Sequence, residues 1–428
     1  MAFQSLCVLG LGYIGLPTAS TFATHGLRVH GVDVNEKIVS TLRAGESHLR
    51  EPGLRTLVQA AFHSGNLTVD QRPTEADAFI IAVPTPLLAG QRADLSYVDA
   101  AAESIVPHLR PGNLVILEST CPPRTTVDRL APILAQSGLQ PGADFRLAYS
   151  PERVLPGHIL REMIDNARVI GGIDRASAEA GRDLYAVFVR GDILLTDATT
   201  AEMVKLMENT YRDVNIALAN EFAGLAEAFG VDVWQAIELA NRHPRVQILR
   251  PGPGVGGHCI GIDPWFLVEA APEMTPLIKQ ARLVNDGRPA HVVQVLRRQL
   301  GGQLAGRRLA ALGLAYKSDV DDLRQSPAIA IVQALVEAGA EVTTYEPMAA
   351  AGRVEGATPA ENLDQALRGA DALVLLVDHK LFLDLDPAHA ASLLSGRQVF
   401  DMRGALDRPA WRQAGFELTI LGVGRDGG

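Results

Sequence analysis

The stretch Leu6-Cys7-Val8-Leu9-Gly10-Leu11-Gly12-Tyr13-Ile14-Gly15 decides the fold class. Four consecutive apolar residues read as a strand buried on both faces, and the run that follows, through Phe22, reads as a helix. A G-x-G-x-x-G pattern between a strand and a helix is a dinucleotide-binding turn. Gly10 makes the tight turn, Gly12 lets a pyrophosphate approach, and Gly15 permits close packing of helix on strand. The unpaired N–H groups at the helix start then face the phosphates. A second strand over residues 27–32 leads into Asp33, about where the fold places an acid for a ribose 2′-hydroxyl. A carboxylate there repels a 2′-phosphate, so NAD is the expected cofactor rather than NADP. A glycine turn without a ligand is the plain alternative, and the strand-to-helix context disfavours it.

Outward from this stretch, continuous apolar strands recur at residues 78–83, 114–117 and 147–149. They run into Pro84-Thr85-Pro86, Glu118-Ser119-Thr120-Cys121 and Ser150-Pro151-Glu152-Arg153. Ligands of a doubly wound sheet sit beyond the carboxyl ends of its strands, so Thr85, Thr120 and Glu152 are candidates for one crevice. For Thr85 a simple turn role is as good a reading. Cys7 and Cys121 read as structural.

The pattern then returns. Residues 308–317 echo residues 6–15, residues 326–339 read as an amphipathic helix, and residues 340–345 echo the second strand. Residues 371–377 repeat the pattern of residues 77–83. This second half lacks the full glycine fingerprint, and Lys317 stands near the place of Gly15, where a cation suits a terminal phosphate. The fold expected is α/β, with two Rossmann-like doubly wound domains joined by a long central helix and a helical dimerisation region. The expected boundaries are 1–195, 196–299 and 300–428.

Residues 199–230 carry the composition of that helix, with Thr199 or Thr200 as N-cap and Gly230 as its stop. Lys205, Asn209 and Arg212 share one face by their i, i+4, i+7 spacing. The apolar flanks, Met203, Val204, Leu206, Met207 and Phe222 among them, predict burial on most sides and a subunit interface. Beyond it lies Gly252-Pro253-Gly254-Val255-Gly256-Gly257-His258-Cys259, with Asp263 four residues after the cysteine. Glycines that dense allow close approach and positive φ. The cysteine in such a loop is either a nucleophile or a packed thiol.

Composition excludes other classes. The chain has 428 residues, too many for one ordinary core, and a formal net charge of −10 with no basic run, which argues against nucleic-acid binding. Three scattered cysteines make neither a disulfide framework nor a metal site. With no leader and no membrane-spanning apolar run, a cytoplasmic protein is expected.

The motifs GLGYIGLP, YSPERVLPG, EMVKLMENTYRDVNIALANE, GVGGHCIGIDPWFL and LAYKSDVDDLRQSPA, in this order, span essentially the whole chain. In them the sequence resembles the nucleotide-sugar 6-dehydrogenases, the UDP-glucose and UDP-N-acetylhexosamine dehydrogenase superfamily. The resemblance implies that Cys259 is the nucleophile and Asp263 its polar neighbour. Lys205 and Asn209 would handle the proton and hold the oxyanion, with Thr120 and Glu152 positioning water. Gly10, Gly12, Tyr13, Ile14, Gly15, Asp33, Thr85 and Thr120 would bind NAD, which Arg324 would reach from the third domain. Arg153, Val154, Lys205, Asn209, Arg212, His243, Arg245, Gly257, Tyr316, Lys317 and Arg403 would line the UDP-sugar site, Arg245 coming from a neighbouring subunit of a homodimer or larger homo-oligomer. Residues 300–428 become the UDP-sugar-binding domain.

One departure narrows the substrate. Glucose-type members carry a second glutamate four residues after the first, where this chain has Pro156. The ER-x-x-PG pattern, with His243-Pro244-Arg245 and Asp263-Pro264-Trp265-Phe266, looks like the UDP-N-acetyl-D-mannosamine branch. UDP-N-acetyl-D-glucosamine is the rival substrate. More distant alternatives are a two-electron β-hydroxyacid dehydrogenase, which needs neither the cysteine nor a second α/β domain, and a nucleotide-sugar-binding regulator without catalysis, which would need neither Cys259 nor Lys205.

Overall fold

The computed structural model describes residues 3–49, 51–257, 259–349 and 352–424. The chain divides into two compact units, Met1–Glu208 with Trp265–Met274, and Asn209–Pro264 with Thr275–Gly428.

The first unit is built on an eight-stranded sheet. Its strands are β1 (Ser5–Leu9), β2 (Arg28–Val32), β3 (Leu67–Asp70) and β4 (Ala78–Ile81), then, after a hairpin of β5 (Leu87–Leu88) and β6 (Arg92–Ala93), β7 (Leu114–Leu117), β8 (Arg146–Tyr149), β9 (Arg168–Gly172) and β10 (Ile193–Asp197). The order is β10-β9-β8-β7-β4-β1-β2-β3, parallel throughout except that β9 runs against β8. Along β1, Leu6 and Val8 join one apolar cluster while Cys7 and Leu9 join another. Side chains alternate across a strand, so a run with no polar member needs cover on both faces, and helices supply it.

The second unit repeats the device with a six-stranded parallel sheet, β13-β12-β11-β14-β15-β16. These strands are β11 (Arg308–Leu312), β12 (Glu341–Tyr345), β13 (Thr358–Pro359), β14 (Ala372–Leu375), β15 (Gln398–Asp401) and β16 (Glu417–Ile420). Leu309 and Ala311 face one cluster, Ala310 and Leu312 the other. The internal echo extends to hydrogen bonds. Gly10 N–H donates to the Val32 carbonyl at 2.8 Å, and Gly313 N–H to the Tyr345 carbonyl at 2.9 Å. Both glycines hold φ near +90° (92° and 90°), a region that L side chains rarely adopt.

The halves differ at the acid that follows the second strand. Asp33 is half-buried and accepts the Leu11 N–H at 3.0 Å. Its counterpart Glu346 is buried, and one of its oxygens takes Leu314 N–H, Ala315 N–H and the ring of His379 at 2.7, 2.9 and 3.1 Å. Burial works against its ionisation, but the His379 contact and the backbone donors hold its carboxyl below the usual range.

The central helix spans Ala198–Phe229. Its cap is neither expected threonine. Asp197, the last residue of β10, accepts both the N–H and the hydroxyl of Thr200, at 2.9 and 2.6 Å. An aspartate outranks threonine as a cap and suits the positive end of the helix dipole. Gly230 stops the helix in the left-handed region at φ 71°. Burial on most sides is corrected too: Met207, Tyr211 and Phe229 are 56%, 67% and 77% exposed, with Met203, Leu218, Phe222 and Leu225 also open. Among the described residues that stripe is left open.

Farther along the same helix, Asp213 forms a dry ion pair with Arg282 at 2.5 Å and accepts the amide of Asn285 at 2.8 Å. Asn285 in turn accepts from Asn220, which receives the N–H of Gly252. Arg282 also pairs with Asp286, so losing Asp213 leaves that cation one carboxylate instead of two. Asp213→Ala is therefore expected to lower stability by about 2–3 kcal/mol, read from urea unfolding, and Asp213→Asn by less.

Candidate active site

In the first unit, the three glycines of the opening turn do different work. A β-carbon on Gly10 would lie 2.5 Å from the Ala82 carbonyl oxygen, and one on Gly15 would lie 1.8 Å from that of Gly10. A β-carbon on Gly12 would meet nothing within 4 Å. Two of the glycines are demanded by the fold, while the third keeps space open above the turn. The helix Gly15–Thr24 that follows carries no side-chain cap; Leu16 N–H bonds the Gly12 carbonyl at 3.1 Å, and the positive end of the helix dipole at the turn suits an anion. Tyr13 and Ile14 are half-buried beside it. With Asp33 at the end of β2, these features fit the pyrophosphate and ribose of NAD.

The carboxyl ends of β4 and β7 are tied together, since the Thr85 hydroxyl donates to the Thr120 carbonyl at 2.7 Å. Beyond β8, Glu152 is buried. Its carboxylate accepts Arg168 at 2.6 Å and the Arg153 N–H at 2.7 Å, and its carbonyl accepts from Lys205 Nζ at 2.8 Å. Arg153 donates to Glu208 at 2.6 Å and to the Ala167 carbonyl, while Val154 packs against the core. Thr85 with Thr120, and Glu152 with Lys205, are thus brought together. Arg168, Glu118 and Tyr185, which complete this cluster, are the residues that sequence reading missed. Glu118 had a visible signal, a carboxylate at the end of an apolar strand.

In the second unit, the glycine-rich segment lies against turns that leave no room for a side chain at Gly254, Gly256 or Gly257. A β-carbon on Gly254 would stand 2.7 Å from Pro327, one on Gly256 2.6 Å from the Gln325 carbonyl, and one on Gly257 2.9 Å from the Tyr316 ring. One on Gly252 would stand 2.9 Å from Arg403. Cys259, next on this track, is exposed, and its carbonyl accepts Ile262 N–H and Asp263 N–H at 3.0 and 2.8 Å. His258 lies outside the described residues. Asp263 is 2% exposed and accepts the Asn209 amide at 2.5 Å.

Near this track, Pro253, Gly254, Tyr316, Lys317, Asp378 and Arg403 line a cleft. Arg403 donates to Asp378 at 2.9 Å, as does Ser318 at 2.7 Å. Against the effect of burial, that arginine and the hydroxyl hold the Asp378 carboxyl low. Lys317 is exposed at the rim, and Arg324 is exposed in a forked pair with Asp322. Arg212, His243 and Arg245 are exposed and do not line this cleft.

The two other thiols are unreactive by placement. Burial pushes Cys7 up to about 12, and burial together with the Glu202 carboxylate raises Cys121 well above the ordinary thiol range. A nucleophilic thiol has to be accessible, and of the three thiols Cys259 is the exposed one.

A fold that cradles a dinucleotide, an exposed cysteine beside a paired Asn and Asp, and a second Rossmann-like half define an NAD-dependent nucleotide-sugar dehydrogenase. Family profiles agree along the chain: the NAD binding, central and UDP binding domains of the UDP-glucose/GDP-mannose dehydrogenase family match residues 4–189, 199–287 and 310–408. The chain is 48% identical over 429 residues to a UDP-N-acetyl-D-mannosamine dehydrogenase of Methanocaldococcus jannaschii, covering 99% of this chain and 97% of that one. It is also 48% identical over 418 residues to an NDP-N-acetyl-D-galactosaminuronic acid dehydrogenase of Ralstonia nicotianae, covering 94% and 96%. The solved structure of a UDP-D-ManNAc dehydrogenase from Pyrococcus horikoshii superposes with a TM-score of 0.91 at 42% identity, over 98% of this chain and 99% of that one. The chain belongs to the UDP-glucose/GDP-mannose dehydrogenase family.

The division among the glycines is testable. Gly12→Ala is expected to keep the melting temperature and weaken NAD binding at least about tenfold by titration, because the added carbon fills the open space. Gly15→Ala is expected to destabilise the fold itself by about 2 kcal/mol or more, since the helix must move off the strand.

Proposed function

We propose that this enzyme oxidises UDP-N-acetyl-D-mannosamine at C6 to the uronate, using two NAD and one water. The observation that carries this reading is the exposed Cys259 at the end of the glycine track, four residues before Asp263, which pairs with Asn209. NAD, when bound, accepts the hydride in each of two successive oxidations. Lys205 takes the alcohol proton, directly or through water, and the Asn209 amide stabilises the oxyanion as it develops. An aldehyde offers no second hydride until something adds to it. Cys259 thiolate adds to give a thiohemiacetal, whose oxidation leaves a thioester on the same sulfur. Hydrolysis with a water positioned by Thr120 and Glu152 releases the acid and restores the thiol.

The substrate class is supported by the cleft beside the glycine track, where Lys317 and Arg403 supply cations suited to a diphosphate. Tyr316 lines that cleft, with Gly257 against its ring, and Arg153, Val154, Arg212 and His243 complete the proposed substrate contacts. Pro156, in place of a second glutamate, favours an N-acetylated sugar over glucose. Arg245, exposed after the helix Val233–Ala240, is assigned to the site of a second subunit, and Arg324 to the cofactor. The open apolar stripe of the central helix supports a homodimer. The functional division remains three-part, 1–195 for NAD, 196–299 for the helical region with the cysteine loop, and 300–428 for the UDP-sugar. No helix among the described residues is long and apolar enough to cross a membrane. A galacto-configured N-acetylhexosamine is a second reading, favoured by the equal identity to the Ralstonia relative.

NADH yield decides among them. Two NADH per limiting UDP-N-acetylmannosamine are expected, with far slower turnover of the gluco- and galacto-epimers and of UDP-glucose. Cys259→Ser is expected to abolish the second oxidation. A galacto-epimer consumed faster would replace the proposed substrate and keep the mechanism; an unaffected Cys259→Ser would remove the covalent route.

A further inference from the structure

The antiparallel strand of the first sheet puts a buried charge cluster at the sheet's carboxyl edge. Tyr149 pairs with Gly171 and Ala148 with Gly172, so continuing that register brings Arg168, the first residue of β9, level with Glu152. Arg168 is held on every side. It donates to Glu152 at 2.6 Å, to the Ser150 hydroxyl at 3.0 Å and to Glu118 at 3.3 Å. Its guanidinium lies over the Tyr185 ring, 4.2 Å from the centroid, and the Tyr185 hydroxyl donates to Glu118.

The side chains of Arg168, Glu118 and Glu152 are 4%, 0% and 7% exposed, so one cation faces two carboxylates in a dry site. A buried cluster of this kind adds little stability over an apolar packing, so what it supplies is fixed geometry rather than energy. The same Glu152 whose carboxylate is pinned by Arg168 receives Lys205 on its carbonyl. The charge count is also unsettled. Burial first, then repulsion from Glu152, against the pull of Arg168 and the Tyr185 hydroxyl, brings the Glu118 carboxyl up to about 7, and its second oxygen has no hydrogen-bond partner.

We propose that Arg168 is a positioning residue for the hydrolytic half of the reaction, holding the Glu152 carboxylate in one orientation while Glu118 and Tyr185 clamp Arg168 from behind. The inference rests on the roles given above to Cys259 and Glu152. In the step concerned, water oxygen bonds to the thioester carbon as its proton passes to Glu152. The carbon–sulfur bond then breaks, its electron pair leaves on Cys259 as thiolate, and the sugar departs as a carboxylic acid that ionises. A guanidinium engaged with Glu152 at fixed geometry keeps that acceptor aimed at the water. Below about pH 7 Glu118 is neutral and Arg168 belongs to Glu152; above it the second carboxylate competes for the same cation, so acyl-enzyme hydrolysis falls as pH rises through that value.

The test is a rapid-mixing experiment on full-length enzyme with excess NAD and UDP-N-acetylmannosamine, following NADH and the intact protein mass. Arg168→Lys keeps a charge but loses the fork. It is expected to release two NADH per active site at close to the wild-type rate, then turn over about tenfold slower or worse, with sugar acyl adduct accumulating on Cys259. Glu118→Gln, close in shape, is expected to remove the fall in hydrolysis rate near pH 7 while sparing the burst. Equal slowing of every phase without adduct, or an unchanged pH profile in Glu118→Gln, overturns the proposal. Should Arg168→Lys fail to fold, the Glu118→Gln profile decides alone. A Cys259→Ser enzyme that still yields two NADH per sugar would instead overturn the covalent route itself.

Discussion

The backbone at Gly254, Gly256 and Gly257 passes so close to the turns of the second sheet that a β-carbon on any of them would collide with Pro327, the Gln325 carbonyl or the Tyr316 ring, and the placement of Cys259 depends on that approach. Tyr316, Gln325, Pro327 and Arg403 form the wall. Because the track is made of backbone, it has few side-chain degrees of freedom to lose. Its position is set by what it touches, including the Gly252 N–H bond to Asn220 and the Arg288 bond to the Gly252 carbonyl. The same turns contribute Lys317 and Arg403 to the neighbouring cleft, so thiol and cleft are positioned by one set of contacts.

Buried ionic groups do the second layer of positioning. Asp213, Arg282 and Asn285 hold the segment that carries Asn209 and the glycine track, and Arg168, Glu118 and Glu152 hold the partner of Lys205. Taking such charges out of water costs several kcal/mol per ion, so each must be answered by geometry. Hydrophobic packing is non-directional and cannot fix a carboxylate's plane, whereas a forked guanidinium can.

The duplicated architecture shows how one backbone plan serves two ends. After β2, Asp33 takes a single turn N–H with its Oδ2 and stays half-open. After β12, Glu346 is one methylene longer, reaches two turn N–H groups, and is sealed beneath His379. A carboxylate so occupied is part of the turn, in a half that keeps the strand register but not the glycine fingerprint.

Much of this was legible in the residues alone, because the signals are local. Apolar runs at strand length, a glycine turn between strand and helix, an acid after the second strand and a cysteine among glycines each lie within about a dozen residues, and each constrains its own backbone. The Asp197 cap shows the limit even of local reading, since two threonines made an equally plausible start one turn away. What lay outside the sequence's reach was set by register and packing between distant segments. Reversal of β9 carries Arg168 to Glu152, and nothing in an arginine opening a strand announces its direction. The open stripe of the central helix follows the same rule, for apolar spacing says which side chains avoid water and only the assembled neighbours decide which are covered. Sequence by itself determined the elements and their chemistry; tertiary structure decided which charges share one dry site, because pairing and desolvation depend on distances that only the folded chain creates.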